Sequence, residues 1–153
     1  MQTKKNLIAF ILLGFITSSS VFCQDLELAA YNGDKQAVIK ILESKPDPDH
    51  RDSFGGTALH GAMFQGDTSI ILLLLEYGFD PNAKGTRNGY TPLHDAVWAS
   101  NKEAAKILLE HGADPSIKNK DGLTAYEFAV KSNKQEIALV IKQISEKKGL
   151  KYR

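Results

Sequence analysis

The chain has 153 residues, of which 42% are apolar and 24% charged, a composition typical of one soluble globular domain. Its formal net charge of +1 excludes a general electrostatic attraction to nucleic acid or to a membrane surface. No stretch reaches about 18 consecutive apolar residues, so the sequence predicts no transmembrane helix.

Residues 1–23 are arranged like a secretory signal peptide. Lys4 and Lys5 give a positive start, residues 7–16 form an apolar run, and residues 17–20 are small and polar. The run has no polar face to offer water, so a signal peptide is favoured over an N-terminal amphipathic or core helix.

Cys23 is the only cysteine and lies at the end of this predicted peptide. We expect cleavage after Cys23, which leaves Gln24 as the first residue; cleavage after Ser20 is the alternative. Lipid modification of Cys23 is disfavoured, because Phe22 is bulky where such sites resemble one another in having a small residue. The mature chain then has no disulfide and no thiol chemistry, so its core alone must stabilise it.

A pattern of 33 to 34 residues recurs through the rest of the chain. The sequence Thr91-Pro92-Leu93-His94 has a counterpart 34 residues upstream, at Thr57-Ala58-Leu59-His60, and another 33 residues downstream, at Thr124-Ala125-Tyr126-Glu127. The leucine-rich stretches 74–81 and 108–115 are one period apart. Self-similarity at a fixed period indicates one supersecondary unit that is stacked several times.

The pattern G-x-T-P-L-H-x-A followed by G-A-D-P, within residues 89–115, resembles the ankyrin repeat. The resemblance covers residues 25 to about 145 and implies an all-α solenoid of about four helix–turn–helix units with β-turn or hairpin tips. It also implies protein binding rather than catalysis. The predicted domains are a signal peptide (1–23), an ankyrin repeat domain (24–145) with repeats at about 24–52, 53–85, 86–119 and 120–145, and a basic C-terminal tail (146–153).

Exported arrays of this family are unusual among eukaryotic proteins. The sequence therefore predicts a bacterial envelope protein, periplasmic or secreted. We expect a monomer that has a protein partner, no nucleic acid partner and no stable membrane insertion once the signal peptide is removed.

Local signals mark the ends of the predicted helices. Thr57 and Thr91 precede the first helix of units two and three, where the hydroxyl of an N-cap accepts a backbone N–H. Gly33 and Gly66 follow the predicted first helix of units one and two. Glycine reaches the left-handed conformation that a helix terminus favours, so these two residues are predicted to end the helices. The loop into unit three, residues 83–88, is one residue longer than its counterparts.

The repeat also predicts the core. One column of small residues lets the first helices of neighbouring units pack closely; it contains Ala29, Ala62, Ala96 and Ala129. A second set, expected to be buried, contains Leu59, Leu74, Leu75, Leu93, Leu108 and Leu109.

The first and last units have features of capping repeats. Lys40 lies in a column that holds Leu73, Ile107 and Val140 in later units, so one face of unit one is predicted to be solvated. Unit four is rich in lysine and no Gly-Ala-Asp-Pro follows it, so the array is predicted to end there. For the basic tail, a frayed and solvated end is favoured over an electrostatic contact with anionic lipid or an acidic partner.

The sequence contains no recognisable catalytic, metal-binding or cofactor-binding motif. His60 and His94 recur with the repeat, and the resemblance implies that they bridge backbone groups of adjacent turns. His50 lies in a turn and His111 at a helix end, and no two histidines have the i, i+4 spacing of a zinc-binding helix. We therefore predict neither an enzyme nor a metal or cofactor protein.

Positions that the repeat leaves free on the inner, concave side predict where a partner binds. The residue two positions after the alanine of the small-residue column is aromatic in three units, at Tyr31, Phe64 and Trp98. Solvent gives no reason to align aromatic side chains, whereas they often carry interface energy; rings that cover the core are the alternative. With the turn tips, the predicted protein-binding residues are Tyr31, Phe54, Phe64, Gln65, Arg87, Asn88, Tyr90, Trp98, Leu123 and Lys131.

The predicted function is a non-catalytic protein-binding module of the cell envelope. An inhibitor or immunity-type role and a chaperone-like role for an envelope enzyme are alternatives within this class. An enzyme or metal protein on an ankyrin scaffold is less favoured. Self-association through an apolar convex line of Ile39, Leu72 and Leu139 is also less favoured, since scattered surface apolar side chains need no explanation.

Overall fold

The computed structural model describes residues 26–153; the predicted signal peptide and Cys23 lie outside the described residues. Regular structure within this range consists of eight helices, and none of them is long and apolar enough to cross a membrane. The helices are α1 (26–32), α2 (Lys35–Leu42), α3 (Ala58–Ala62), α4 (Ser69–Glu76), α5 (Pro92–Trp98), α6 (Lys102–Glu110), α7 (Ala125–Lys131) and α8 (Gln135–Lys148). The predicted all-α solenoid of helix–turn–helix units is confirmed.

The helices stack in two layers. Within a unit the first helix packs on the second, as α3 does on α4, α5 on α6 and α7 on α8. Between units, α3, α5 and α7 pack on one another in one layer, and α2, α4, α6 and α8 do so in the other. Each unit therefore contacts mainly its neighbours, which is the organisation of a repeat solenoid.

Small residues and leucines fill the space between the layers. The four alanines of the predicted column are buried, and so are all the predicted core leucines except Leu75, which is half-buried at the margin. Full burial of one such leucine contributes about 1.5–3 kcal/mol. The repeat spacing thus located most of the residues that stabilise the fold.

Threonine N-caps precede the first helices of units two to four. Thr57, Thr91 and Thr124 have an extended backbone immediately before α3, α5 and α7. The Thr124 hydroxyl accepts the N–H of Glu127 at 3.2 Å, as expected of an N-cap. In units two and three the hydroxyl instead lies 2.9 Å from Nδ1 of the histidine three residues later.

His60 and His94 bridge neighbouring units. Nδ1 of His60 accepts the N–H of Thr57 at 3.0 Å, and its Nε2 lies 3.2 Å from the carbonyl oxygen of Tyr90 in the next unit. His94 contacts its own N-cap threonine and, at 3.0 Å, the carbonyl oxygen of Leu123. A carbonyl only accepts, so each Nε2 carries the proton. Burial lowers the pKa of both rings, that of His60 to about 4, so they are neutral. The predicted bridge is confirmed.

A left-handed residue follows the first helix in three units. Gly33, Ser100 and Asn133 have φ values of 74°, 56° and 57°. The prediction for Gly66 is wrong, since its φ lies outside the left-handed region. Unit two ends its first helix already at Ala62 and begins its second one residue later in the repeat than the other units, so the chain makes a wider turn.

The outer surface has no continuous apolar line among the described residues. Leu72 and Leu139 are exposed, but Ile39 is half-buried and the exposed Lys106 lies between them in the same column. Lys40 is exposed, as predicted for a capping unit, and the later members of its column are only half-buried. That column is therefore the margin of the core rather than its centre.

The C-terminal segment folds back on unit four. Helix α8 continues to Lys148, beyond the predicted end of the array, and Gly149 turns the chain with a φ of 67°. Tyr152 is buried against Tyr126, with ring centroids 4.8 Å apart, and its carbonyl accepts the Thr124 hydroxyl at 2.7 Å. The expectation of a frayed, solvated tail is wrong here, because the tyrosine finds an apolar surface on α7.

Candidate functional site

Three turns, which we call fingers 1, 2 and 3, connect the units. They span residues 52–56, 85–90 and 119–123, and in each the N–H of the first residue donates to the carbonyl of the last at 2.6 to 2.9 Å. In fingers 1 and 3 the side chains of Asp52 and Asn119 also accept two N–H groups of their own finger. Finger 2 has one residue more than the others, which confirms the longer loop predicted before unit three.

Neighbouring fingers are hydrogen-bonded to each other. The N–H of Thr86 donates to the carbonyl of Gly55 at 3.0 Å, and the N–H of Lys120 donates to that of Asn88 at 2.9 Å. Gly55 has a φ of 82°, and a Cβ built on it would lie 1.9 Å from the Thr86 hydroxyl oxygen. Only glycine permits this approach, so it fixes the spacing of fingers 1 and 2.

Basic side chains connect adjacent units through backbone carbonyls. Arg87 donates to the carbonyl of Ser53 at 3.0 Å, and Lys120 donates to a carbonyl one repeat before it at 2.7 Å. Arg51 and Lys84 donate to carbonyls one repeat after them, at 3.0 and 2.8 Å. These four cations therefore stabilise the array itself.

A groove lies between fingers 1 and 2 and the helices α1, α3 and α5. Its volume of about 740 Å³ is within the range typical of ligand sites. We call it the aromatic groove. It is lined by Glu27, Leu28, Tyr31, Asp52, Ser53, Phe54, Gly56, His60, Gly61, Phe64, Gly85, Asn88 and Asp95.

Apolar side chains form much of the wall of the aromatic groove. The rings of Tyr31 and Phe64 lie 5.7 Å apart, and Phe54 on finger 1 is 70% exposed. The guanidinium of Arg87 lies over the Phe54 ring at 5.2 Å, a cation–π contact that orients the ring. Gly61 lets α3 approach α1, since a Cβ there would lie 3.1 Å from a backbone carbonyl of α1.

Three carboxyl groups, of Glu27, Asp52 and Asp95, line the same groove. Glu27 is only 4% exposed; its Oε1 lies 3.1 Å from Nδ1 of His50, and its Oε2 has no hydrogen-bond partner among the described residues. Burial raises the pKa of Glu27 above its ordinary value. Burial and the nearby charge of Asp52 raise the pKa of Asp95 to about 7. The groove therefore contains acids whose charged forms are poorly compensated.

A second aromatic surface, the Trp98 platform, consists of Trp98, Phe128 and Tyr90. The rings of Trp98 and Phe128 stack with centroids 6.2 Å apart, and Tyr90 lies 5.2 Å from Phe128. Phe128 is buried and Tyr90 half-buried, whereas Trp98 is largely exposed. Of the two residues predicted to bind here, Trp98 thus presents its ring to solvent and Tyr90 mainly supports the platform.

The other predicted binding residues lie in different surroundings. Four of them line the aromatic groove, namely Tyr31, Phe54, Phe64 and Asn88. The side chains of Arg87 and Gln65 donate to backbone carbonyls one repeat away. Leu123 is half-buried, and Lys131 is exposed at the end of α7.

Sequence inspection missed the acidic side of the groove, which Glu27, Asp52 and Asp95 provide. Part of the signal was present, because Asp95 precedes the predicted aromatic residue Trp98 by three positions and so shares its helix face. Glu27 and Asp52 come together only through the folding of the array.

The groove offers a ligand apolar surface and carboxyl groups. No group of three or more His, Cys, Asp or Glu residues in the part of the chain from 26 to 153 has the arrangement of a metal site. The imidazole of His60, which also lines the groove, is occupied by its bonds to Thr57 and Tyr90.

Comparison with known proteins agrees with this architecture. A family model for ankyrin repeats, in three copies, matches residues 26–119, more than half of the chain. A stretch of 66 residues is 42% identical to the human BCL-6 corepressor-like protein 1, and 58 residues are 45% identical to the human BCL-6 corepressor. These stretches are 40% and 37% of this chain but only 4% and 3% of those two proteins. The chain belongs to the ankyrin repeat family, whose members are generally non-catalytic modules for protein interaction.

Proposed function

We propose that this chain is an exported, non-catalytic module that holds a partner protein on its inner face. The inner face consists of the first helix of each unit and the fingers, and it includes the aromatic groove and the Trp98 platform. Membership of the ankyrin repeat family supports the protein-interaction part of the proposal.

The alignment of exposed aromatic side chains is the observation that carries this proposal. Tyr31, Phe64 and Trp98 follow one another at the repeat period and are 51%, 41% and 59% exposed. Rings whose purpose was to cover the core would be more deeply buried. A partner that removes these rings from water would gain hydrophobic free energy, and such aromatic residues often dominate binding.

Export to the cell envelope, periplasmic or secreted, is supported by residue patterns alone. Residues 1–23 have the charged, apolar and small-residue regions of a signal peptide, and residues 24–153 contain no cysteine. A chain without thiols folds the same way in an oxidising and a reducing compartment.

Affinity capture from the native cell envelope tests the proposal. The bait is the mature chain, compared with a triple variant, Tyr31→Ala/Phe64→Ala/Trp98→Ala, after both have been shown to have matching melting curves. A matched control carries Leu72→Ala and Leu139→Ala, which remove exposed apolar side chains from the outer layer. We expect one protein to be retained by the wild type and the control but not by the triple variant.

Two other outcomes contradict the proposal. Equal retention by the triple variant places the binding surface elsewhere. Absence of any retained protein removes the support for a protein-binding role and directs attention to ligand and activity screens. Fractionation of cells that express the full chain tests export separately, because a chain that stays in the cytoplasm at full length has no functional signal peptide.

A further inference from the structure

We propose that the aromatic groove receives one basic side chain, an arginine or a lysine, from a segment of the partner protein with apolar residues beside it. This inference rests on the proposed function and specifies the chemistry of the partner at this site. An unpartnered buried oxygen, the charge of the groove and the nature of its walls support it.

One buried oxygen of Glu27 has no hydrogen-bond donor. Glu27 lines the groove with only 4% of its surface exposed, and its Oε2 has no partner among the described residues. His50 contacts only the other oxygen, at 3.1 Å. Buried polar atoms in native proteins nearly always have a partner, so the Glu27 carboxyl group keeps capacity to accept a hydrogen bond from a donor that arrives with the ligand.

The charge of the groove favours a cation. Glu27, Asp52 and Asp95 contribute carboxyl groups, and none of the lining residues is a lysine or an arginine. The nearby Arg87 donates to a backbone carbonyl rather than to these acids. Burial raises the pKa values of Glu27 and Asp95, and an incoming cation would favour the ionised forms of both carboxyl groups.

The walls of the groove distinguish a basic side chain from other cations. Tyr31 and Phe64 present aromatic rings, against which a guanidinium or ammonium group binds favourably, whereas Phe54 already has Arg87 over its ring. Leu28 adds apolar surface for an aliphatic stem and for flanking residues. A hard metal ion would instead require a shell of oxygen ligands, and an acidic side chain would be repelled by the carboxyl groups.

Blocked pentapeptides whose central residue lies between two leucines test this inference. The central residue is arginine, lysine, the neutral isostere citrulline, or glutamate. Each peptide is titrated at pH 7.5 into the ¹⁵N-labelled mature chain, and the amide signals of the groove residues Gly56, Gly61, Gly85 and Asn88 are followed by NMR. The same titrations are made with Asp95→Asn and Glu27→Gln, and with Asp121→Asn as a matched control, an exposed acid of finger 3 outside the groove.

We expect the arginine and lysine peptides to shift these four signals and to bind at least about tenfold more tightly than the citrulline peptide. Asp95→Asn and Glu27→Gln should each weaken that binding several-fold, and Asp121→Asn should leave it unchanged. Equal binding of the citrulline peptide would indicate a purely apolar groove and overturn the inference. Preferential binding of the glutamate peptide, or no shift with any peptide, would overturn it as well.

The capture experiment separates this failure from failure of the proposed function. Suppose that the partner is lost from the Tyr31/Phe64/Trp98 variant but is fully retained by Asp95→Asn and Glu27→Gln, and that the citrulline peptide binds equally well. The proposed protein-binding function would then stand, and only the inference about a basic side chain would fail. If the arginine peptide binds selectively but no partner is captured, the preference of the groove for a basic side chain would stand and the proposed protein-binding function would lose its support.

Discussion

The indole ring of Trp98 lies parallel to the phenyl ring of Phe128, with an angle of 3° between the ring planes. Phe128 is buried, so the indole covers part of the core with one face and leaves the other face to solvent. The core-coverage interpretation of the aromatic column is therefore partly fulfilled at Trp98, and one face of its indole stays accessible for the binding that we propose.

Trp98→Ala should cost little stability compared with a substitution in the core. Loss of the stack with Phe128 should lower the free energy of unfolding by about 1 kcal/mol, whereas Leu108→Ala, at a fully buried position, should lower it by about 2–5 kcal/mol. Urea unfolding of both variants measures this difference. Equal losses would mean that the indole is a core residue, and the Trp98 platform could then not be assigned to binding.

The buried histidines should make the fold sensitive to acid. The pKa of His60 is about 4 in the folded chain and 6.5 in the reference state, so the unfolded chain binds the proton more readily. The contribution of His60 to stability is therefore greatest above pH 6.5 and falls as the pH decreases toward 4, by up to roughly 3 kcal/mol. His94, whose pKa is also lowered by burial, acts in the same direction.

His60→Gln should isolate this contribution. We expect the variant to be less stable than the wild type at pH 7, because the bridge between Thr57 and Tyr90 is damaged, but to lose less stability between pH 7 and pH 5. His111→Gln, at an exposed helix end, is the control and should keep the pH dependence of the wild type. Parallel pH profiles for all three chains would contradict the prediction.

Asp95 should have the opposite pH dependence. Its pKa is about 7 in the folded chain against 3.8 in the reference state, so folding favours the protonated form. The resulting stability is present below pH 3.8 and is lost as the pH rises through 7. Asp95→Asn should consequently be more stable than the wild type at pH 8 by roughly 1–2 kcal/mol, after allowance for the partial exposure of the carboxyl.

Thermal unfolding at pH 8 and pH 4.5 measures this effect. The melting temperature of Asp95→Asn should exceed that of the wild type at pH 8 and approach it at pH 4.5. Asp121→Asn, whose side chain is exposed, should differ little from the wild type at either pH. A stabilising substitution inside the groove would indicate that the acid is retained for binding rather than for folding.

Gly55 should tolerate substitution less well than another glycine with positive φ. Gly55→Ala brings a methyl group against Thr86, whereas at Gly112, which has a φ of 93°, nothing lies within 4 Å of an added Cβ. Backbone strain should cost about 1–2 kcal/mol in both variants, and the clash should add about 1–3 kcal/mol at Gly55 alone. Equal losses in urea unfolding would mean that fingers 1 and 2 can separate at little cost.

Tyr152 should stabilise unit four although it lies in a basic tail. Tyr152→Ala should cost about 2–4 kcal/mol, because it removes a buried ring and disturbs the acceptor of the Thr124 hydroxyl. Lys151→Ala, at an exposed neighbouring position, should stay within about 0.5 kcal/mol of the wild type. If both variants unfold like the wild type, the segment is free, and a role in contacting an acidic partner becomes open again.

Features that depend on residues close together in the chain could be predicted from the sequence. The motif Thr57-Ala58-Leu59-His60 predicted a helix start, a core leucine and a bridging histidine, because cap geometry and helix periodicity act over a few residues. The aromatic groove could not be predicted in this way, since Glu27 and Asp95 come from different units and line one groove only after stacking. Tyr152 was missed because the charge of its neighbours dominated the interpretation of the tail.

The hydrogen bonds between the fingers also limit how far the inner face can change its shape. Loops usually lose conformational freedom when a partner binds them, and this loss weakens association. Here the backbone bonds at Gly55 and Asn88 and the side chains of Arg87 and Lys120 hold the fingers in place beforehand, so that freedom is lost during folding instead. A cleft of fixed width cannot mould itself to many shapes. If the inner face binds a partner as proposed, such a cleft would select it by excluding whatever does not fit, and its specificity would come from rigidity rather than from adaptation.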